Sequence, residues 1–152
     1  MIHRATERDR EDWIRLNVAF FEEENEGADD PRVFPDEPEE HFSKAFDALF
    51  SQPGCELFLW EEDGHKVAFA TVVSFPHAWS GGKTVLLDDL YVLPAYRRRG
   101  IGAQFMKATE AWGRQIGAKR LCLLVEPHNP SKQLYEQEGY SGIPLVYMIR
   151  YL

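Results

Sequence analysis

A single α/β domain, with a mixed sheet and helices packed on it, is the fold class this sequence predicts. Three observations predict it. Strand-like and helix-like runs interleave along the chain instead of segregating. At 152 residues, 44% of them hydrophobic and 13% aromatic, the chain can bury one core of real size. Between Val85 and Trp112 an apolar run, a basic glycine-bearing turn and a helix-like run follow one another without a break.

The elements can be justified in order. Ile2 to Ala5 reads as a short strand, and Thr6-x-x-Asp9 as an N-terminal capping arrangement with Asp in place of Glu. Trp13, Leu16, Phe20 and Phe21 then recur at helical spacing, which predicts a helix from about Glu7 to Glu24. Gly27 to Pro35 is an acidic loop. Pro38 opens a second helix with Phe42, Phe46 and Phe50 four apart, stopped by Gln52-Pro53-Gly54. Cys55 to Trp60 and Lys66 to Ser74 form a hairpin about Glu62-Asp63-Gly64. Ser80 to Lys83 is a flexible connection into the strand Val85–Tyr91, a helix covers Gln104–Trp112, and Leu121–Val125 is the next strand. A short helix starting near Pro130 and two short terminal strands complete the order. No linker or repeat divides the chain, so residues 1–152 form one domain.

The turn between the strand at Val85 and the helix at Gln104 carries the chemistry. It reads Leu93-Pro94-Ala95-Tyr96-Arg97-Arg98-Arg99-Gly100-Ile101-Gly102-Ala103. Free amides and the positive end of the helix dipole converge on such a turn and build an anion site. Gly100 and Gly102 admit φ > 0 and a close-lying ligand. Three consecutive arginines also occur in plain solvated loops, and the flanking strand and helix favour the anion reading. No Gly-Lys-Ser/Thr follows, which excludes a P-loop, and the third glycine of a dinucleotide fingerprint is missing. The ligand this suggests is a phosphorylated cofactor.

Composition narrows the rest. The net charge of −8 disfavours nucleic acid as a partner. No apolar run approaches the ~18 residues of a membrane span, and Met1-Ile2-His3-Arg4 does not open a signal peptide. Cys55 and Cys122, far apart and without metal-ligand spacing, read as reduced core residues of a cytoplasmic protein; no metal is expected. Glu22, Glu23, Glu24, Glu26, Asp29, Asp30, Asp36, Glu37, Glu39 and Glu40 crowd one segment. That segment suits a cationic second substrate, although acidic surfaces also serve solubility alone.

Arg97-x-x-Gly100-x-Gly102, entered from a strand with Leu90-Tyr91-Val92 and Pro94, resembles the acetyl-CoA signature of the GNAT superfamily of N-acyltransferases. Ser131-x-x-Leu134-Tyr135-x-x-x-Gly139-Tyr140 resembles the helix-to-strand segment that follows in these enzymes, so the likeness covers about residues 66–152. In motif it is closest to polyamine- and diamine-type members. It implies a twisted, mixed seven-stranded sheet with about four helices and a splay between the fourth and fifth strands. It implies acetyl-CoA held by Leu90, Tyr91, Val92, Arg97, Arg98, Arg99, Gly100, Ile101, Gly102 and Ala103. Asn129 and Ser131 extend that set, although His128 occupies the place of the family's loop asparagine. A strand interruption near Leu90–Val92 would aim an N–H at the thioester carbonyl, and Tyr135 would be the general acid. A homodimer is implied too; the apolar run Pro144–Ile149 would pair across subunits or complete its own sheet.

The proton acceptor is read from the strand itself. Asp88 and Asp89 are consecutive carboxylates in an apolar run, a costly placement. They face opposite sides unless a bulge intervenes. Asp88 matches an acidic position of polyamine-acetylating relatives and is the first choice. Asp89 is an alternative acceptor or a structural residue capping a loop, and ordered water is a further acceptor. Glu126, His128 and His77, at strand ends, are further candidates, and Trp60, Trp79 and Tyr147 could line an acceptor pocket. The expected activity is direct acetyl transfer to the primary amine of a polyamine, diamine or aminoglycoside. The rivals are a protein or peptide amine and a non-catalytic acyl-CoA-binding domain.

Overall fold

The computed structural model describes residues 1–26 and 35–150. The acidic loop expected at Gly27–Pro35, with Asp29 and Asp30, lies outside the described residues apart from Pro35. In chain order the elements are β1 (Ile2–Arg4), α1 (Arg10–Asn25), α2 (Pro38–Ser51), β2 (Cys55–Glu62), β3 (His65–His77), β4 (Gly82–Val92), α3 (Ile101–Gln115), β5 (Arg120–Leu123) and α4 (Lys132–Gln137). One sheet has the order β1-β2-β3-β4-β5, antiparallel except for the parallel pair β4–β5.

Local chemistry explains the starts and stops. The Thr6 N–H and hydroxyl both donate to Asp9 Oδ2 at 2.8 Å, tying off a 3-10 turn (Glu7–Asp9) from which α1 continues. Pro38 sits at the first position of α2, where its missing N–H costs nothing. On one face of the sheet α1 and α2 bury Trp13, Leu16 and Phe46 against Leu57, Leu59, Phe69 and Tyr91. Phe46 is buried and Phe50 lies at the rim, stacked on it with ring centroids 5.1 Å apart. On the other face α3 packs Ile101, Phe105, Met106 and Trp112 against Phe58, Ala70, Val72, Val85 and Leu87. The helix predicted over Gln104–Trp112 extends at both ends, and its first turn is the glycine-bearing segment itself.

The sheet has five strands among the described residues, not seven. Residues 141–150 form no ladder. Gly139, at φ +90°, ends α4, and Leu145 N–H then donates back to the Ile143 carbonyl around Pro144, which has no N–H to give a neighbour. The two cysteines are free, as expected, but half-buried instead of fully inside.

Two irregularities position the site. The parallel ladder runs only from Thr84↔Arg120 to Leu87↔Leu123, so β4 continues from Asp88 to Val92 with no partner strand on that side among the described residues. On its other side the pairing steps from Val72↔Leu87 to Thr71↔Asp89, leaving Asp88 as an extra residue in a β-bulge. The strand therefore parts from β5 and kinks at the same residue.

Candidate active site

The helix end at Gly100 is built for an anion. Gly100 has φ +81°, and Arg98, a non-glycine residue, has φ +63°. Alternation of left- and right-handed residues turns successive N–H groups to one side and forms a concavity for negative charge. Holding Arg98 there costs about 1 kcal/mol that an ordinary turn would avoid. The first intrahelical bond of α3 is Gln104 N–H to Gly100 C=O at 3.2 Å, so the amides of Ile101, Gly102 and Ala103 lie ahead of the ladder. No side chain caps this end and no acidic residue lies in its first turn, so the dipole is uncompensated from within the helix. A Cβ built on Gly100 meets nothing within 4 Å. Gly102 lies close against α4, where an added Cβ would stand 3.0 Å from a Leu134 methyl group.

The three arginines divide. Arg97 Nε donates to the Val92 carbonyl at 2.8 Å, its guanidinium reaches Glu23 Oε2 at 2.7 Å, and it lies 5.5 Å over the Tyr91 ring. Arg99 pairs with Glu62 at 2.8 Å, donates to the Ala95 carbonyl at 3.0 Å and covers Tyr96. Arg98 alone has no partner among the described residues and is exposed. Sequence reasoning grouped all three on the anion and missed Glu23 and Glu62. Nothing local marks those two residues, since Glu23 lies 74 positions from Arg97.

Of the strand residues, Leu90 and Val92 pack toward α3, while Tyr91 is buried toward α1 with its hydroxyl donating to Glu23 Oε2 at 3.1 Å. The expected interruption at Leu90–Val92 falls two residues earlier, at Asp88; Ala70↔Leu90, Phe69↔Tyr91 and Ala68↔Val92 are regular. Leu93 N–H donates to Val67 O at 3.0 Å, and strict alternation from there leaves the Leu90 and Val92 amides on the edge that faces away from β3. That edge is open because β5 has already parted.

The bulge decides how the two aspartates sit. Two residues oppose one partner there, so the simple alternation that would separate them is broken. Asp89 stands across from Thr71, and burial, with the neighbouring Asp88 charge, pushes its carboxyl up to about 6. The Thr71 hydroxyl pulls the other way, but it makes no close hydrogen bond and cannot offset the burial. Solvent reaches Asp88, yet surrounding protein desolvates it enough to raise its carboxyl as well. Its field in turn raises the Cys55 thiol, after burial as the main cause. The Asp88 charge is thus a second cause of the Asp89 shift, because a like charge nearby disfavours a second ionisation.

A stability prediction follows from Asp89. Its folded pKa lies above the unfolded value of ~3.9, so the folded state binds the proton more strongly. The stabilisation this gives is complete below pH ~4 and is lost as pH rises through about 6, leaving an ionised buried carboxylate at neutral pH. Asp89→Asn is expected to raise unfolding free energy at pH 7 by up to ~3 kcal/mol. Urea titrations should show that gain disappear near pH 4; an equal gain at both pH values would remove Asp89 as the cause.

Tyr135 lies half-buried on α4, its ring centroid 6.5 Å from that of Tyr140. Burial raises its phenol, and Tyr140 is pushed up to about 12 by burial and by nearby Cys122 and Glu110. The Tyr140 hydroxyl is buried and has no hydrogen-bond partner among the described residues. Asn129 Oδ1 accepts the Ser131 N–H at 2.8 Å and so shapes the entry to α4, while Ser131 is its exposed first flank. Trp60, Trp79 and Tyr147 are not brought together: Trp60 packs on the α3 face, Trp79 is exposed between β3 and β4, and Tyr147 is exposed after α4. No cluster of three His, Cys, Asp or Glu side chains able to hold a metal occurs among the described residues.

Residues 11–140 match the model of the acetyltransferase (GNAT) family. An uncharacterized N-acetyltransferase, YhfO, of Bacillus subtilis is 34% identical over 86 residues, 56% of this chain and 58% of its own length. An aminoglycoside N(6')-acetyltransferase type 1 of Salmonella typhimurium is 24% identical over 124 residues, 78% of this chain and 85% of its own. Among solved structures, an aminoglycoside N-acetyltransferase in complex with CoA superimposes with a TM-score of 0.80 at 19% identity, covering 99% of this chain and 93% of the other.

Proposed function

Because the chain belongs to the GNAT family of acetyltransferases, we propose that it transfers an acetyl group from acetyl-CoA directly to the primary amine of a small cationic acceptor. Polyamines, diamines and aminoglycosides are the candidate acceptors. The observation that carries this reading is the uncapped end of α3 beside the point where β4 parts from β5 and bears two carboxylates.

The residues fit the cofactor. The amides of Ile101, Gly102 and Ala103 with the Arg98 side chain would hold the pyrophosphate. Acetyl-CoA supplies the acyl group as a thioester. Along the open edge of β4, the Leu90 or Val92 N–H would polarise the thioester carbonyl as developing charge builds on its oxygen. The Asp88–Asp89 pair accepts the proton an alkylammonium must lose, since an amine of pKa ~10 is mostly charged at pH 7. Tyr135 donates a proton to the departing sulfur. One C–N bond forms and one C–S bond breaks. Of the two protons the alkylammonium nitrogen loses, the carboxylates take the first before attack. The second, released as the C–N bond forms, returns to the Tyr135 phenolate, so that CoA leaves as its thiol. Orientation and carbonyl polarisation supply most of the acceleration.

An open cleft of about 760 Å³ supports a cationic acceptor: Glu22, Glu23 and Glu26 line it together with Ala19, Asn25 and Pro94. Its acidic wall adjoins the cofactor turn at Pro94. Thiol release from acetyl-CoA against polyamines, diamines, aminoglycosides, amino acids and peptides tests the reading. Turnover with a cationic small amine is expected; turnover with peptides alone would transfer the acceptor assignment to a protein amine. CoA binding without turnover on any amine would leave an acyl-CoA-binding domain.

The setting we assign is the cytoplasm, where two free cysteines stay reduced, and the assembly a homodimer. Leu145–Ile149 are 59–87% exposed, an unbroken apolar run, and the outer edge of β5 has no partner strand among the described residues, which supports that assembly. Light scattering should give twice the chain mass; a monomer at tens of micromolar would overturn the dimer.

A further inference from the structure

The Glu23 carboxylate is a junction between elements that have no sequence proximity. It accepts from the Tyr91 hydroxyl of β4 at 3.1 Å and from the Arg97 guanidinium at 2.7 Å, and it belongs to the last turns of α1. Arg97 is restrained a second time at the Val92 carbonyl and a third time by the Tyr91 ring. Each member answers to the others: the arginine holds the Glu23 carboxyl below its ordinary range, and burial and Glu23 raise the Tyr91 phenol. A guanidinium with two of its donors committed to Val92 and Glu23 braces the exit of β4, from which the turn to Gly100 departs.

We propose that Glu23 is a positioning residue for the cofactor turn: with Arg97 and Tyr91 it ties α1 to the end of β4 and fixes the amides that receive the phosphates, so that Arg97 braces and Arg98 grips. The inference rests on reading that turn as the pyrophosphate site. It adds that an acidic residue tied to the cofactor turn strengthens cofactor binding despite its negative charge. It also makes the acidic cleft and the cofactor turn share one residue, so that the two substrates are coupled.

The sign of the effect separates this from the obvious rival. If Arg97 gripped phosphate, Glu23 would compete for it, and Glu23→Gln would tighten CoA while Arg97→Gln weakened it. If Glu23 positions the turn, the two variants share a phenotype. Calorimetry with CoA and steady-state kinetics are the measurements, on the full chain. Glu23→Gln and Arg97→Gln are each expected to weaken CoA about three- to tenfold and raise the acetyl-CoA KM in step, with kcat within twofold. The partly exposed ion pair keeps that effect modest. Tyr91→Phe, which leaves the ion pair in place, should weaken CoA less, and its effect should not add to that of Glu23→Gln. Thermal unfolding without ligand should stay within a few degrees of the parent in each variant. Tighter or unchanged CoA binding by Glu23→Gln would overturn the proposal, as would additivity with Tyr91→Phe. A parent protein that binds no CoA would instead overturn the pyrophosphate reading beneath it.

Discussion

Tyr135→Phe is expected to lower kcat by about 10²–10³-fold while CoA affinity stays within about twofold. The hydroxyl is the only atom removed, and the ring stays where α4 holds it. That hold is mutual: Leu134 seats against Gly102 of α3, so the helix carrying Tyr135 and the helix end facing the phosphates are packed on each other. Burial raises the phenol, so the proton is present throughout the working pH range and available to a thiolate. Steady-state turnover and calorimetry with CoA check both halves of the expectation. A variant that turns over at the parent rate would pass the acid role to another donor, and Tyr140, with its unpartnered buried hydroxyl, is the neighbour to change next.

Asp88→Asn together with Asp89→Asn should reduce kcat/KM at pH 7 by a similar two to three orders of magnitude, because no carboxylate remains on β4 to take the acceptor's proton. The single substitutions distinguish the two. In the parent, kcat/KM is expected to rise with pH through an apparent value near 6, as the pair becomes able to accept a proton. Asp88→Asn removes the like charge that helps raise Asp89. If Asp89 accepts the proton, activity persists and the acidic limb moves to lower pH; if Asp88 does, activity is lost outright. Double-variant activity within threefold of the parent would assign the proton to ordered water instead. The same substitution at Asp89 is expected to stabilise the fold at neutral pH, so this carboxylate would trade stability for chemistry.

Much of this was legible in the chain. The strand–turn–helix segment proposed to bind phosphate was readable because its signals are local: two glycines, a basic run, a strand before and a helix after, all within about thirty residues. Tyr135 and Asp88 were singled out through the family's spacing and stand as proposals, while the core faces of α1, α2 and α3 were readable through their period. The errors fall where pairing is non-local. Two terminal strands were expected from apolar residues after Gly139, but an apolar run becomes a strand only with an edge to join, and residues 141–150 join none. A bulge was placed at Leu90–Val92 and stands at Asp88, because register is set by the partner strand, β3, and by where β5 ends its ladder.

By itself, then, the sequence determined the fold class, the order of elements through α4 and the place of the glycine-bearing turn at the start of α3, since each follows from periodicity, glycine placement and charge within a short window. Only the tertiary structure decided that Arg97 pairs with Glu23 and Arg99 with Glu62 while Arg98 has no partner among the described residues, that Gly102 lies against Leu134, and that the Asp88–Asp89 pair sits on a bulge where the sheet parts. Those outcomes depend on residues brought together from far along the chain, Glu23 to Arg97 and Glu62 to Arg99. A side chain's partner is fixed by the packing of whole elements, and no local window contains that information.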